Sequence, residues 1–169
     1  GGYVAAERCG EQGLKTLLIE KNLLGGVCLN EGCIPTKTLL NSAKLYLHAH
    51  EAQAYGINIQ GIGFDLGRMQ QWKNEVIQRL QDGIEFLMKK YKVEVLKAQA
   101  RLTSKNTVDA AGRSFSAKNI ILASGSSAML PALPGIDSPF VVTNREILNV
   151  TQMPKTLTII GGGVIGIEF

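Results

Sequence analysis

Apolar and polar positions along this chain fall into helical spacing in some stretches and short strand-like runs in others, and the switches between them predict its elements. The opening GGYVAAERCGEQGLKTLLIEK predicts a helix over 2–12, a turn at Gly13 and an apolar strand over 16–19 closed by Glu20. Helical spacing returns over 38–53, where Leu39, Leu40, Ala43, Leu45, Leu47 and Ala49 are interleaved with polar residues. A longer helix over 65–91 carries Met69, Trp72, Val76, Ile77, Leu80, Ile84, Leu87 and Met88 as one apolar stripe, which assigns Trp72 to core packing. Short strands follow over 93–96, 98–102, 107–110 and 114–116 and predict a β-meander. Apolar strands are expected again over 119–123 and 156–160, separated by an extended crossover that Pro131, Pro134 and Gly135 mark.

Glycines at the ends of these strands change the picture. Gly161, Gly163 and Gly166 follow the 156–160 strand in G-x-G-x-x-G spacing and open a helix, the context in which that motif binds a dinucleotide. At the other end of the chain Gly2 fits the third glycine of such a motif, and Glu20 fits the carboxylate that holds a ribose hydroxyl. The preceding strand and first two glycines are expected before residue 1, so the chain reads as beginning mid-motif. Ser124, Gly125 and Ser126 follow the 119–123 strand and are small enough for a ligand to approach their backbone amides; the bland alternative is a loop between domains.

The chemistry concentrates in GGVCLNEGCIPTK, Gly25 to Lys37, where Cys28 and Cys33 stand among glycines just ahead of a helix. In an unbroken helix residues five apart lie about 8 to 9 Å from each other, whereas a disulfide needs Cα atoms within about 7 Å. If the two sulfurs meet, the segment must bend, and Asn30 and Gly32 permit it. A helix beginning near Pro35 would bring its positive end toward Cys33, the better candidate for a stabilised thiolate. A metal site and an inert buried pair are the competing readings. Three cysteines with His48 and His50 downstream make a poor zinc set, and a glycine-rich polar setting makes a poor apolar pocket. Cys9 sits alone in the first helix and reads as packing; His48 and His50, two apart, cannot share a helix face and read as surface.

With 169 residues, of which 45% are apolar, the chain can build a globular core, and no run approaches the roughly 20 apolar residues that span a bilayer. Few cysteines without a framework suit a reducing cytoplasmic setting. The net charge of +4 is dispersed; Lys89, Lys90, Lys92 and Lys97 are interrupted by Glu94, which argues against nucleic acid.

In this order GGVCLNEGCIPTK, LIEK at 18 to 21, ILASGSSAMLPALPGID at 121 to 137 and GGGVIGIE at 161 to 168 closely resemble the pyridine nucleotide-disulfide oxidoreductases over the whole chain. The cysteine motif is similar to that of the branch acting on dihydrolipoamide, glutathione and mercury. The leucine after Cys28 and the IPTK ending favour the dihydrolipoamide member. The resemblance implies an α/β fold: a Rossmann-like FAD-binding domain with three-layer βα units and a small β-meander over 1–150, then the start of a Rossmann-like NAD-binding domain over 151–169. It implies a Cys28/Cys33 redox disulfide, with Cys33 beside the flavin and Cys28 exchanging with substrate. Glu20 would hold the FAD ribose, and Gly25, Gly26, Val27 and Cys28 would lie along the dinucleotide. Lys37 would sit by the flavin and pair with Glu168, Ala98 would touch the adenine through its backbone, and Ser124 to Ser126 would line the pyrophosphate. It further implies a homodimer at full length and a lipoyl domain of a 2-oxo acid dehydrogenase complex or the glycine cleavage system as partner. The family's catalytic histidine and glutamate come from a C-terminal domain with no counterpart in these residues, so this stretch alone is expected to be inactive. Val27 stands where threonine is common, and Glu31 places a carboxylate beside the cysteines that would oppose a thiolate if it points inward. A glutathione or mercuric type reductase and an inactive binding fragment are the alternatives.

Overall fold

A computed structural model describes all residues, 1–169, and divides them into two compact units: Gly1–Asn30 with Gln78–Ser126, and Glu31–Ile77 with Ser127–Phe169. In the first unit α1 (Gly2–Glu11) leads into β1 (Leu17–Glu20). The helix ends because Gly13 takes φ +74°, which lets its amide bond Gly10 and the Leu14 amide bond Cys9. These paired closures satisfy carbonyls that the last turn leaves open. Gly10 allows close packing, since a Cβ there would lie 2.7 Å from both the Tyr91 carbonyl and Val93 Cγ2.

The helix α4 (Leu66–Lys90) ends by the same device, with Lys92 at φ +55° in the position where glycine is usual. The Lys92 amide bonds the Lys89 carbonyl and the Val93 amide bonds that of Met88. Val93 and Met88 are both buried. β2 (Glu94–Lys97) starts directly after it and pairs parallel with β1, Leu17 opposite Glu94 and Glu20 opposite Lys97.

The meander therefore has three strands, not four: β3 (Ala100–Ser104), β4 (Thr107–Ala110) and β5 (Arg113–Ser116), all antiparallel. Parallel pairing with a strand some 75 positions earlier took the fourth. Ala111 and Gly112, both at positive φ, close the β4–β5 hairpin. The strands expected over 119–123 and 156–160 are not formed. Both stretches have the composition of buried strands, but a strand exists only through a ladder and none of the residues present pairs with them. Ile121 and Leu122 are 65% and 74% exposed in consequence.

In the second unit α3 (Cys33–Glu51) runs into a 3₁₀ turn, Ala52–Tyr55, closed at Gly56. α5 (Asn144–Ile147) and α6 (Val164–Glu168) are short. The buried side of α4 differs from its predicted stripe: Lys73, Gln81, Ile84 and Met88 are buried while Trp72 is 39% exposed, so Trp72 is not a core residue. No helix is long and apolar enough to cross a membrane.

Candidate functional site

The cysteine segment folds as two helices joined by a break. α2 (Gly26–Glu31) carries Cys28, Gly32 departs from helical geometry at φ −142°, ψ −110°, and α3 starts at Cys33. Cys28 and Cys33 are disulfide-bonded and Cys9 is free. The bend that the spacing requires falls at Gly32 alone; Asn30 stays helical. α3 also begins two residues before Pro35, because a proline in the first turn gives up an amide that has no partner there anyway. Thr36 ties the break down, its amide and its hydroxyl both donating to the Gly32 carbonyl at 3.1 and 2.7 Å. Cys33 thus occupies the first turn of a 19-residue helix, where the unpaired amides favour negative charge.

The loop ahead of α2 is held from below. Asn30 donates to the carbonyls of Leu24 and Gly26 at 3.0 and 2.9 Å and accepts from Gln81 on α4. Gly25 and Gly26 adopt φ +113° and +71°, and a Cβ on Gly25 would meet Leu29 Cδ1 at 2.9 Å. Val27 is exposed in the first turn of α2.

In the same unit the structure gathers a second group at the carboxyl ends of β1 and β2. The Glu20 carboxylate accepts from the Asn22 amide at 2.9 Å, and the Glu20 carbonyl accepts from the Ala98 amide at 3.0 Å. Ala98 can therefore offer a ligand its carbonyl, since its amide is engaged. Gly2, at the start of α1, has room for no more than contact: a Cβ would lie 3.4 Å from that of Ala123. Ser124, Gly125 and Ser126 continue from Ala123 as exposed, irregular chain with Gly125 at φ +77°. A glycine-started helix, an acidic residue closing the adjacent strand and open backbone beside both make a set that could hold a dinucleotide.

The other unit holds Lys37, whose ammonium donates to the Glu168 carboxylate. Gly161 takes φ +113°, Gly163 caps α6, and a Cβ on Gly166 would fall 2.2 Å from the Gly161 carbonyl oxygen. Gly166 is thus required for the tight turn, whereas Gly163 borders open space.

Three residues that sequence reasoning passed over shape the cysteine segment. Arg145 pairs through Nε with the Glu31 carboxylate, so that carboxylate is matched by a cation. Asn144 donates to the Glu31 carbonyl at 2.7 Å. Lys73, almost wholly buried, donates to the Leu148 carbonyl and to Asn149 Oδ1, each at 2.7 Å, and burial pushes its pKa down. Only the T-N-R-E run of Thr143–Glu146 was readable in advance, as the signature of the capping box that starts α5.

The family described as pyridine nucleotide-disulphide oxidoreductase matches residues 1–169. The chain belongs to this family. Among curated relatives it is 44% identical to a dihydrolipoyl dehydrogenase of Acholeplasma laidlawii over all of its own length and 52% of that protein. It is 41% identical to the dihydrolipoyl dehydrogenase of Mycoplasma pneumoniae, covering 99% of the chain and 38% of the relative, and 39% identical to that of Bacillus subtilis, covering 100% and 38%. Among solved structures the Escherichia coli HOCl-induced flavoprotein disulfide reductase RclA, as a Cu(II) complex, superposes with a TM-score of 0.82 at 29% identity, over 99% of this chain and 35% of RclA. The α/β class with a Rossmann-type FAD-binding architecture is that of the family. The chain spans about half or less of each of these proteins.

Proposed function

We propose that these residues are part of a dihydrolipoyl dehydrogenase that reoxidises dihydrolipoyl groups through the Cys28–Cys33 disulfide with FAD and NAD. The observation that carries this reading is the disulfide itself, set across a helix break with one sulfur on each helix. A substrate thiolate attacks the Cys28 sulfur; the Cys28–Cys33 bond breaks and Cys33 leaves as a thiolate at the start of α3. The second substrate thiolate then attacks the mixed disulfide, releasing Cys28 and closing the lipoyl disulfide. The substrate has lost two electrons and two protons, and the cysteine pair holds both electrons. When bound, FAD supplies a two-electron acceptor for the pair and NAD the final hydride acceptor.

Glu20, Gly2, Ala98 and Ser124 to Ser126 would hold the FAD dinucleotide, with Gly25, Gly26 and Val27 presenting backbone along it. Lys37 would place positive charge where reduction develops negative charge, held in orientation by Glu168. Gly161, Gly163 and Gly166 would seat NAD. In this reading 1–150 form the FAD domain and 151–169 open the NAD domain. The full-length protein is a cytoplasmic homodimer served by the lipoyl domain of a 2-oxo acid dehydrogenase complex or the glycine cleavage system. The names of the curated relatives support dihydrolipoamide over glutathione or mercury.

The test is Cys28→Ser in the full-length protein. Lipoamide-dependent NADH formation should fall by about a thousandfold or more while flavin stays bound. Turnover at the wild-type rate would overturn the assignment.

A further inference from the structure

We propose that Arg145 is a positioning residue for the redox pair, setting the dithiol/disulfide equilibrium of Cys28 and Cys33 by matching the charge of Glu31. The inference rests on the redox reading above and goes beyond it, since it concerns which residues tune the couple.

Glu31 ends α2 three residues after Cys28, and residues at that spacing share a helix face. It also precedes Cys33 by two residues, at the approach to the α3 N-terminus. A carboxylate there opposes the negative charge that a Cys33 thiolate brings on reduction. Arg145 offsets it, and the structure fixes Arg145 from several sides. Its amide donates to Thr143 Oγ1 at 3.3 Å within the capping box, and its carbonyl accepts from Asn149 Nδ2 at 2.8 Å. Asn149 accepts in turn from buried Lys73, and Gln70 Nε2 donates to the Val150 carbonyl at 3.1 Å. Asn144, next to Arg145, bonds the Glu31 carbonyl. The 143–150 segment is therefore a strap, pinned to α4 at one end and gripping the residue before the Gly32 break at the other. An unanchored surface pair would lose much of its effect to side-chain freedom. This one is held by its backbone on both sides.

The two charges remain partly open to solvent, with Arg145 43% and Glu31 38% exposed, so the expected effect is moderate and salt-dependent. In the full-length, flavin-loaded protein, equilibrated across dithiothreitol buffers and trapped by alkylation, Arg145→Gln should shift the couple toward the disulfide. The shift should be about threefold to tenfold, and tenfold corresponds to about 30 mV for two electrons. Arg145→Lys should keep most of the wild-type position. Glu31→Gln should shift it the opposite way, toward the dithiol, which gives a second reading should Arg145→Gln fold poorly. In the double variant, with both charges gone, the equilibrium should return toward the wild-type position, and raising salt should shrink the shift of each single variant. An unchanged equilibrium in both single variants, or a double variant displaced from wild type as far as Arg145→Gln alone, would overturn the inference. A wild-type disulfide that opens normally leaves the redox reading standing in that event. One that no buffer in the series can open would overturn the redox reading and this inference together.

Discussion

Lys37 on α3 and Glu168 on α6, 131 residues apart in sequence, form an ion pair through Nζ and Oε1. Lys37 lies four residues after Cys33, one turn along the same helix face, so the pair fixes a cation beside the cysteine that α3 presents. Lys37 is 56% exposed, and exposed pairs contribute about 0 to 1 kcal/mol to stability. Its worth should instead lie in catalysis. Lys37→Met in the full-length protein should leave thermal unfolding nearly unchanged and lower lipoamide-driven NADH formation by about a hundredfold. Parallel losses of stability and rate would assign Lys37 a structural role.

Gly163 and Gly166 occupy one turn but face different constraints. A methyl on Gly166 collides with the Gly161 carbonyl oxygen at 2.2 Å, whereas one on Gly163, at φ −75°, meets nothing within 4 Å. Gly166→Ala should therefore distort the turn and destabilise the fold. Gly163→Ala should be neutral in denaturant unfolding yet weaken NAD affinity, because the proposed nucleotide site uses that free space for the ligand's approach. Equilibrium NAD binding to both variants checks this, and unaltered affinity in Gly163→Ala would remove that glycine from the nucleotide site.

These contrasts show what the amino-acid order could and could not reveal. The α1 helix, the β1 strand ending at Glu20, the long α4 and the bend between the cysteines were legible, because helix periodicity, turn glycines and the reach of a disulfide are local properties. The strand over 94–97 was read into the meander because its partner lies some 75 positions earlier. The 119–123 and 156–160 stretches carry strand composition without a ladder. Lys73 interrupts the apolar face of α4; its burial depends on two acceptors at Leu148 and Asn149, and no spacing rule reaches that far. The Glu31–Arg145 pair escaped for the same reason.

Lys73 gives stability a pH dependence of definite sign. Burial lowers its pKa below the ordinary 10.5, so between the folded and unfolded values the unfolded chain binds more protons. The penalty of a buried ammonium is present in full below the folded pKa and is relieved as pH rises through it toward 10.5. Lys73→Met removes that penalty but leaves the Leu148 carbonyl and Asn149 Oδ1 without their donor, a loss of about 1 to 3 kcal/mol. Denaturant unfolding across the alkaline range should show the wild type gaining on the variant as pH rises. A gap that stays constant would mean that the ammonium is accommodated without penalty.

Replacing Lys92 with glycine should stabilise the protein. It closes α4 at φ +55°, in the left-handed region where a Cβ costs about 1 to 2 kcal/mol. Glycine avoids that cost but gives the unfolded chain more freedom, which returns part of the gain. The two amide bonds of the closure, from Lys92 to Lys89 and from Val93 to Met88, involve backbone alone and survive the exchange. Lys92→Gly should therefore raise unfolding free energy by about 0.5 to 1 kcal/mol, with the denaturant slope unchanged. Lys92→Ala keeps the Cβ in the same conformation and should give no such gain. Equal behaviour of the two variants would show that the left-handed closure carries no strain, and the gain would then have to be sought in the lysine's charge.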